Sequence, residues 1–190
     1  MLTLIAGLLI FLGIHSITIF APDWRERMAA QFGVNGWRIG YSLVSLLGLY
    51  LIVRGFAATR LNPVVLYVPL PWMRTLGRVL MALVFPLLVA TYLPGRIRDT
   101  LKHPMLVAIK TWAVAHLLAN GMLADVLLFG GFLAWAVALR IALKRRVARA
   151  VPSLPAAPWN DFLAVATGLA LFAVTVLWAH QKLFGVSPMG

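Results

Sequence analysis

Apolar residues run along the chain in blocks of roughly 20, bounded by proline, glycine or charged residues. A helix of roughly 20 residues crosses the hydrocarbon core of a bilayer, which is about 30 Å thick. The pattern therefore predicts an all-α integral membrane protein, a polytopic bundle of six transmembrane helices with a short helix four. The expected spans are residues 2–20, 38–56, 72–93, 104–120, 122–143 and 162–184.

The composition excludes a water-soluble globule. Hydrophobic residues make up 62% of the 190 residues and charged residues 12%, whereas globular domains average about 45–50% and about 25%. A single membrane domain over residues 1–190 is the expected organisation. Cysteine is absent, which excludes disulfide bonds, thiolate metal sites, iron–sulfur clusters and a cysteine nucleophile.

The charge is strongly basic, with 17 Lys and Arg residues against 5 Asp and Glu residues and a net charge of +12. Basic residues are retained on the cytoplasmic side of a membrane, and their distribution over the predicted loops favours both termini outside the cytoplasm. Most of the charge is then an orientation signal, so membrane lipid is the expected partner and nucleic acid is not. The run Lys144-Arg145-Arg146 is suited to contact anionic lipid.

Four histidines are the leading candidate functional residues: His15, His116 and His180 within predicted spans, and His103 at the start of the fourth. Ionisable side chains inside a membrane are costly and mark functional sites, although a single buried histidine is more often a hydrogen-bonded helix contact. Zinc and di-iron sites lack ligands here, whereas haem needs one or two imidazoles. The expected depths leave three ligand pairs open: His15 with His116, His116 with His180, and His15 with His103.

Two arginines and one lysine add to the polar candidates. Arg74 and Arg78 lie one helical turn apart at the outer end of the third span, where they serve either as a clamp for a haem propionate or other anion, or as snorkelling interface anchors. Lys110 falls on the same helix face as His103.

Two further residues lie near the turn between the fourth and fifth spans. Asn120 lies one turn after His116, in a position either to orient that histidine or to end the helix. Asp125 begins the fifth span, where capping the helix is favoured over pairing with a basic residue.

Several blocks of the chain resemble the NnrU family, and the resemblance covers roughly the whole sequence. These blocks are FLGIHS at residues 11–16, WR at 24–25, GWR at 36–38, KHPM at 102–105 and WAVAHLLANG at 112–121. The family is named for a link to nitric oxide reduction in denitrifying bacteria. The same blocks are similar to those of plant zeta-carotene isomerase, a membrane enzyme that carries haem b and isomerises a central 15-cis double bond.

The resemblance implies that His15 and His116 ligate a haem b between helices one and four, with His103 as a further polar residue of the family. It also implies a protein of the bacterial inner membrane that supports nitrogen-oxide metabolism, with nitric oxide or a polyene as small-molecule ligand. The alternative is a redox-gated isomerase of a carotenoid-like polyene. Two residues depart from the pattern: Lys102 replaces an arginine before His-Pro, and Ala113 stands where the plant enzyme has a cysteine.

A third reading rests on the tripeptide Lys102-His103-Pro104. It resembles the Arg-His-Pro pattern near the S-adenosylmethionine site of membrane methyltransferases. Those enzymes use acidic residues downstream, and this chain has only Asp125 and Asp161 there. The sequence thus leaves open whether the protein is an enzyme.

Overall fold

The computed structural model describes residues 1–145 and 151–188, which are helical and contain no β-strand. Five of the described helices are long and apolar enough to cross a membrane. This confirms the prediction of an all-α, multi-pass membrane protein, but not the predicted number of six transmembrane helices. The basic run at residues 144–146 extends outside the described residues at Arg146. The helices are α1 (Leu2–Phe20), α2 (Pro22–Thr59), α3 (Pro71–Ala90), α4 (Arg96–Leu101), α5 (Pro104–Ala119), α6 (Leu123–Lys144) and α7 (Asn160–Phe184).

The predicted fourth span corresponds to α5, which has only 16 residues. At about 1.5 Å per residue it is about 24 Å long, shorter than the roughly 30 Å of a hydrocarbon core. Whether α5 crosses the membrane, and hence the total of six crossings, therefore stays a prediction.

The structure differs from the predicted helices at two places. The second helix begins at Pro22 rather than at residue 38, because proline fits the first turn of a helix and the charged residues after it are helical as well. Gly33, with φ of 75°, interrupts this long helix with a backbone conformation that glycine readily adopts. Helix α4 lies between the predicted third and fourth spans, and its six residues are too few to give a periodic pattern in the sequence.

The contacts of the chain group it into two compact units, and the prediction of a single domain stays a prediction. Unit 1 holds residues 1–67 and 122–145, with helices α1, α2 and α6. Helices α1 and α2 pack through glycine: a Cβ on Gly7 would lie 2.5 Å from the backbone nitrogen of Ile52, and one on Gly48 would lie 2.8 Å from that of Phe11. Small residues let helix backbones approach closely where lipid offers no hydrophobic driving force.

The start of α6 is fixed within unit 1 by Asp125. The backbone N–H of Met122 donates to its carboxylate at 2.9 Å, which confirms the capping role expected from the sequence. The N–H of Leu123 donates to the carbonyl of Val64 at 2.8 Å and ties the preceding loop to this helix start. Burial raises the pKa of the Tyr67 phenol in that loop, and the Asp125 carboxylate adds to the effect.

Unit 2 holds residues 68–121 and 151–188, where α3 packs against both α5 and α7. A Cβ on Gly77 of α3 would lie 2.8 Å from the carbonyl oxygen of Ala115 in α5. At the start of α4, the carboxylate of Asp161 accepts the backbone N–H groups of Arg96 at 2.9 Å and Ile97 at 3.1 Å. These bonds satisfy helix donors that have no partner within the helix.

Candidate functional site: the intramembrane histidines

His15 lies in α1 of unit 1 and is held by the residue one turn before it. Its Nδ1 atom is 2.6 Å from the carbonyl oxygen of Phe11. A carbonyl oxygen only accepts, so Nδ1 carries the proton of the neutral ring and Nε2 carries the lone pair. The Phe11 ring also stacks on the imidazole, with centroids 4.2 Å apart and an interplanar angle of 26°. These contacts orient the ring, with its lone pair on Nε2.

Two further aromatic rings of unit 1 surround His15. The Tyr41 ring of α2 has its centroid 5.2 Å from that of the imidazole, and the Trp135 ring of α6 lies 6.0 Å away with its plane at 87°. The Trp135 Nε1 atom is buried and has no hydrogen-bond partner in residues 1–145 or 151–188. A buried indole N–H usually has an acceptor, and a ligand beside His15 that carries oxygen atoms is one way to supply it.

His116 repeats this anchoring in α5 of unit 2. Its Nδ1 atom is 2.9 Å from the carbonyl oxygen of Trp112, one turn earlier in the helix. The two rings are in tilted contact, with centroids 5.2 Å apart. The neutral His116 ring is therefore also protonated on Nδ1, with the lone pair on Nε2. The spacing of four residues places Trp112 and His116 on one helix face.

Asn120 ends helix α5. Its side-chain amide and its backbone N–H both donate to the carbonyl oxygen of His116, each at 2.9 Å, and its own backbone is extended. Of the two roles considered for Asn120, the helix-ending one is confirmed. These two bonds reach the backbone of His116 rather than its imidazole.

Arg74 and Arg78 lie in the first turns of α3, and both side chains are exposed within the described residues. Gly77 of the same segment packs against Ala115 of α5. The two arginines therefore lie at the same end of unit 2 as His116. This placement is compatible with either an anion clamp or snorkelling anchors, so both roles stay predictions.

His180 follows a π-helical turn, Thr175–Ala179, inside α7. Such turns are rare and are common at functional sites. Its Nδ1 atom donates to the carbonyl oxygen of Val186 at 2.8 Å. Of the three ligand pairs left open by the sequence, His116 with His180 has both members in one unit.

His103 and Lys110 lie in or beside the same helix, α5. His103 precedes its first residue, and the carbonyl oxygen of His103 accepts the N–H groups of Leu106 at 3.1 Å and Val107 at 3.3 Å. Lys110 lies about two turns further along and is partly exposed within the described residues. Residue 103 thus helps to start the helix, and the functional roles considered for both residues stay predictions.

Within residues 1–145 and 151–188, no group of three or more His, Cys, Asp or Glu side chains is placed to hold a metal ion. Such a group is typical of metal centres built from protein ligands alone. Ligation of haem iron by one or two imidazoles does not require it.

Two buried polar atoms were not selected from the sequence: Nε1 of Trp135 and Nη1 of Arg98, neither of which has a partner among the described residues. Trp135 lies in an apolar span like several other tryptophans. Arg98 lies among other basic residues of a predicted connection between spans. Only the packing of the helices distinguishes these two side chains from similar ones.

The helices and the histidines within them define a multi-pass α-helical membrane protein with ionisable residues in its spans. The model of the NnrU protein family matches residues 3–188, nearly the whole chain. The chain belongs to the NnrU family, which confirms the resemblance carried by its sequence blocks. Comparison with curated proteins and with solved structures gives no significant match.

Proposed function

We propose that this NnrU-family protein binds haem b through His15 and His116 and supports nitrogen-oxide metabolism in the bacterial inner membrane. The observation that carries the proposal is the common anchoring of the two histidines. In each, Nδ1 donates to the carbonyl oxygen one turn earlier in its own helix, at 2.6 Å for His15 and 2.9 Å for His116. Histidines that bind metals usually donate their other ring nitrogen in this way, which fixes the tautomer and the ring direction.

Other residues fit a haem as well. The buried Nε1 of Trp135 beside His15 is a hydrogen-bond donor that needs an acceptor. Arg74 and Arg78 supply positive charge near His116 that suits the carboxylates of the propionates. When bound, haem b supplies one-electron redox chemistry and a binding position for a diatomic ligand wherever an axial position is open. His15 and His116 would hold the iron through their Nε2 atoms, so nitric oxide would have to compete with one of these histidines for it.

The test is haem content in the purified full-length protein. Oxidised and reduced absorption spectra and a pyridine haemochrome assay compare the wild type with His15→Ala, His116→Ala and the matched control His180→Ala. The proposal expects about one haem per chain in the wild type and in His180→Ala, because His15 and His116 would together hold a single haem. It expects loss or spectral conversion in both His15→Ala and His116→Ala.

Two results contradict the ligand assignment. A protein that stays colourless after reconstitution with haem removes the cofactor altogether. Loss of haem in His116→Ala and His180→Ala, with His15→Ala unaffected, assigns the site to the pair within unit 2.

The metabolic part of the proposal has a separate test. Nitric oxide added to the reduced protein is expected to change its absorption spectrum, and deletion of the gene is expected to impair growth by denitrification. An unchanged spectrum together with intact denitrification would remove this role while leaving haem binding in place.

A second candidate function is redox-gated isomerisation of a carotenoid-like polyene. The rings of Phe11, Tyr41 and Trp135 around His15 favour a flat, conjugated, apolar ligand. Ala113 replaces the cysteine of the plant enzyme, so a ligand exchange through that residue is excluded. Added polyene is expected to change isomer only with the reduced protein, as measured by chromatography. No isomer change in either redox state would exclude this activity.

The methyltransferase reading has one structural observation in its favour. Lys102, which precedes His103, has φ of 61°, a conformation that side chains other than glycine rarely adopt and that often marks functional segments. It predicts S-adenosylmethionine binding that His103→Ala abolishes. Absence of binding in a titration with the purified wild type would exclude it.

A further inference from the structure

Arg98 carries a buried polar atom in unit 2. Its Nη1 atom is inaccessible and has no hydrogen-bond partner within residues 1–145 and 151–188. Arg98 belongs to α4, which packs against α3 and α5. Buried polar groups in folded proteins are nearly always hydrogen-bonded, and a buried charged group without a partner is costly. The Nη1 group therefore requires an acceptor that the described residues of the neighbouring helices do not supply.

The acidic residues near α4 do not supply this acceptor. The carboxylate of Asp161 accepts the backbone N–H groups of Arg96 and Ile97. Asp99, in the same helix, has an exposed side chain within the described residues.

Lys102 adds a second positive charge beside Arg98. Its backbone N–H donates to the carbonyl oxygen of Arg98 at 2.8 Å, which keeps the two residues one helical turn apart along the chain. The N–H of His103 then donates to the carbonyl of Leu101 at 2.7 Å across Lys102, whose φ is 61°. This tight turn ends α4 with the Lys102 side chain exposed.

The retention of basic residues on the cytoplasmic side does not explain this burial. An orientation signal needs only charge near the interface, and long basic side chains usually extend their charged groups into water. A planar guanidinium group, in contrast, matches the geometry of two oxygens of one phosphate. We propose that Arg98, with Lys102, binds a phosphate group, either that of an anionic lipid headgroup or that of a free phosphate compound. This site takes no part in haem ligation and is independent of the proposed function.

The test compares Arg98→Gln with Arg96→Gln in the full-length protein purified in detergent. Arg96 is the matched control because it lies in the same helix, is exposed and loses the same charge. Thermal unfolding is measured after addition of phosphatidylglycerol or phosphatidylcholine in mixed micelles, and separately with inorganic phosphate. Native mass spectrometry counts the lipids bound.

Phosphatidylglycerol at about 100 times its Kd is expected to raise the Tm of the wild type and of Arg96→Gln by about 5 °C. Arg98→Gln is expected to gain less than about 1 °C and to lose the bound lipid. Without anionic ligand, Arg98→Gln is expected to be at least as stable as the wild type, because it removes a buried Nη1 group that lacks an acceptor.

The two sources of phosphate give different results. Stabilisation by phosphatidylglycerol alone identifies a lipid headgroup, whereas stabilisation by inorganic phosphate as well identifies a site open to free phosphate compounds. No stabilisation of the wild type by either, or an equal response in Arg98→Gln, would overturn the proposal. If Arg98→Gln does not fold, Arg98→Lys is tested instead. This variant keeps the positive charge but loses the planar donors of the guanidinium group, so its binding of phosphatidylglycerol is expected to be about tenfold weaker. Binding of Arg98→Lys with wild-type affinity would contradict the proposed site.

Discussion

Gly168 of α7 lies directly against Pro86 of α3, and no Cβ fits between the two residues. Pro86 is buried in the middle of a helix, where its ring replaces a backbone N–H and widens the helix surface locally. The absence of a side chain at residue 168 accommodates this ring. The pair therefore fixes how closely α3 and α7 approach within unit 2.

Replacing Gly168 by alanine is expected to destabilise the protein by about 1–3 kcal/mol, because a methyl group would displace packed backbone. The matched control is Gly130→Ala in α6, where an added Cβ meets no atom within 4 Å. Alanine in an open helical position is expected to be neutral or to stabilise by up to about 1 kcal/mol. Unfolding of both variants in detergent measures the difference. Equal effects of the two substitutions would contradict the packing described for Gly168.

Asp161→Ala is expected to destabilise the start of α4. The substitution removes the acceptor of two backbone N–H groups, those of Arg96 and Ile97, and loss of such a charged cap costs about 1–3 kcal/mol. Asp99→Ala is the control, since it removes the same charge from an exposed position of α4. Thermal unfolding at one lipid concentration compares the two. A loss of stability as large in Asp99→Ala would indicate a general effect of charge instead of the two hydrogen bonds.

The sequence predicts the long helices well because lipid imposes a simple rule of length and apolar content. The first predicted span, residues 2–20, coincides with α1, and the last differs from α7 by two residues at its start. Prediction fails where that rule does not apply. Residues 22–32 are helical although polar, and the six residues of α4 are too few for a periodic signal.

In the candidate site, contacts within one helix can be predicted from the sequence, whereas contacts between helices cannot. The contact of His116 with Trp112 and the helix end at Asn120 follow from spacings of four residues along one helix. The approach of Tyr41 and Trp135 to His15 depends on the packing of three helices, which no local pattern encodes.

The tautomer of His15 can be measured without any cofactor. The hydrogen bond from Nδ1 to the Phe11 carbonyl predicts a neutral ring protonated at Nδ1, whereas Nε2 protonation is the usual form of a free imidazole in water. Nitrogen NMR of the haem-free protein labelled with ¹⁵N-histidine, compared with His15→Ala for assignment, distinguishes the two forms. The expected result is an Nδ1–H signal that disappears in the variant. An Nε2–H signal from His15 would remove the observation on which the haem proposal depends.

The number of membrane crossings depends on α5, and the absence of cysteine makes it directly measurable. If the short helix crosses the membrane, α5 and α6 together return the chain to the side on which α4 lies. Thinning of the bilayer around α5 compensates a helix of about 24 Å at a modest cost, so we expect six crossings. Single cysteines introduced as Thr100→Cys and Ser153→Cys are then expected on the same side, the cytoplasmic one.

Labelling with a membrane-impermeant maleimide in spheroplasts shows on which side of the membrane each cysteine lies. Asn62→Cys, in the connection between α2 and α3, is the positive control because it is expected outside. The unmodified chain provides the blank, since it has no cysteine to react. Labelling of Ser153→Cys together with Asn62→Cys, while Thr100→Cys stays protected, would mean that α5 enters the membrane without crossing it. In that case the five long helices alone would cross, and the topology inferred from the basic residues would be wrong after α4.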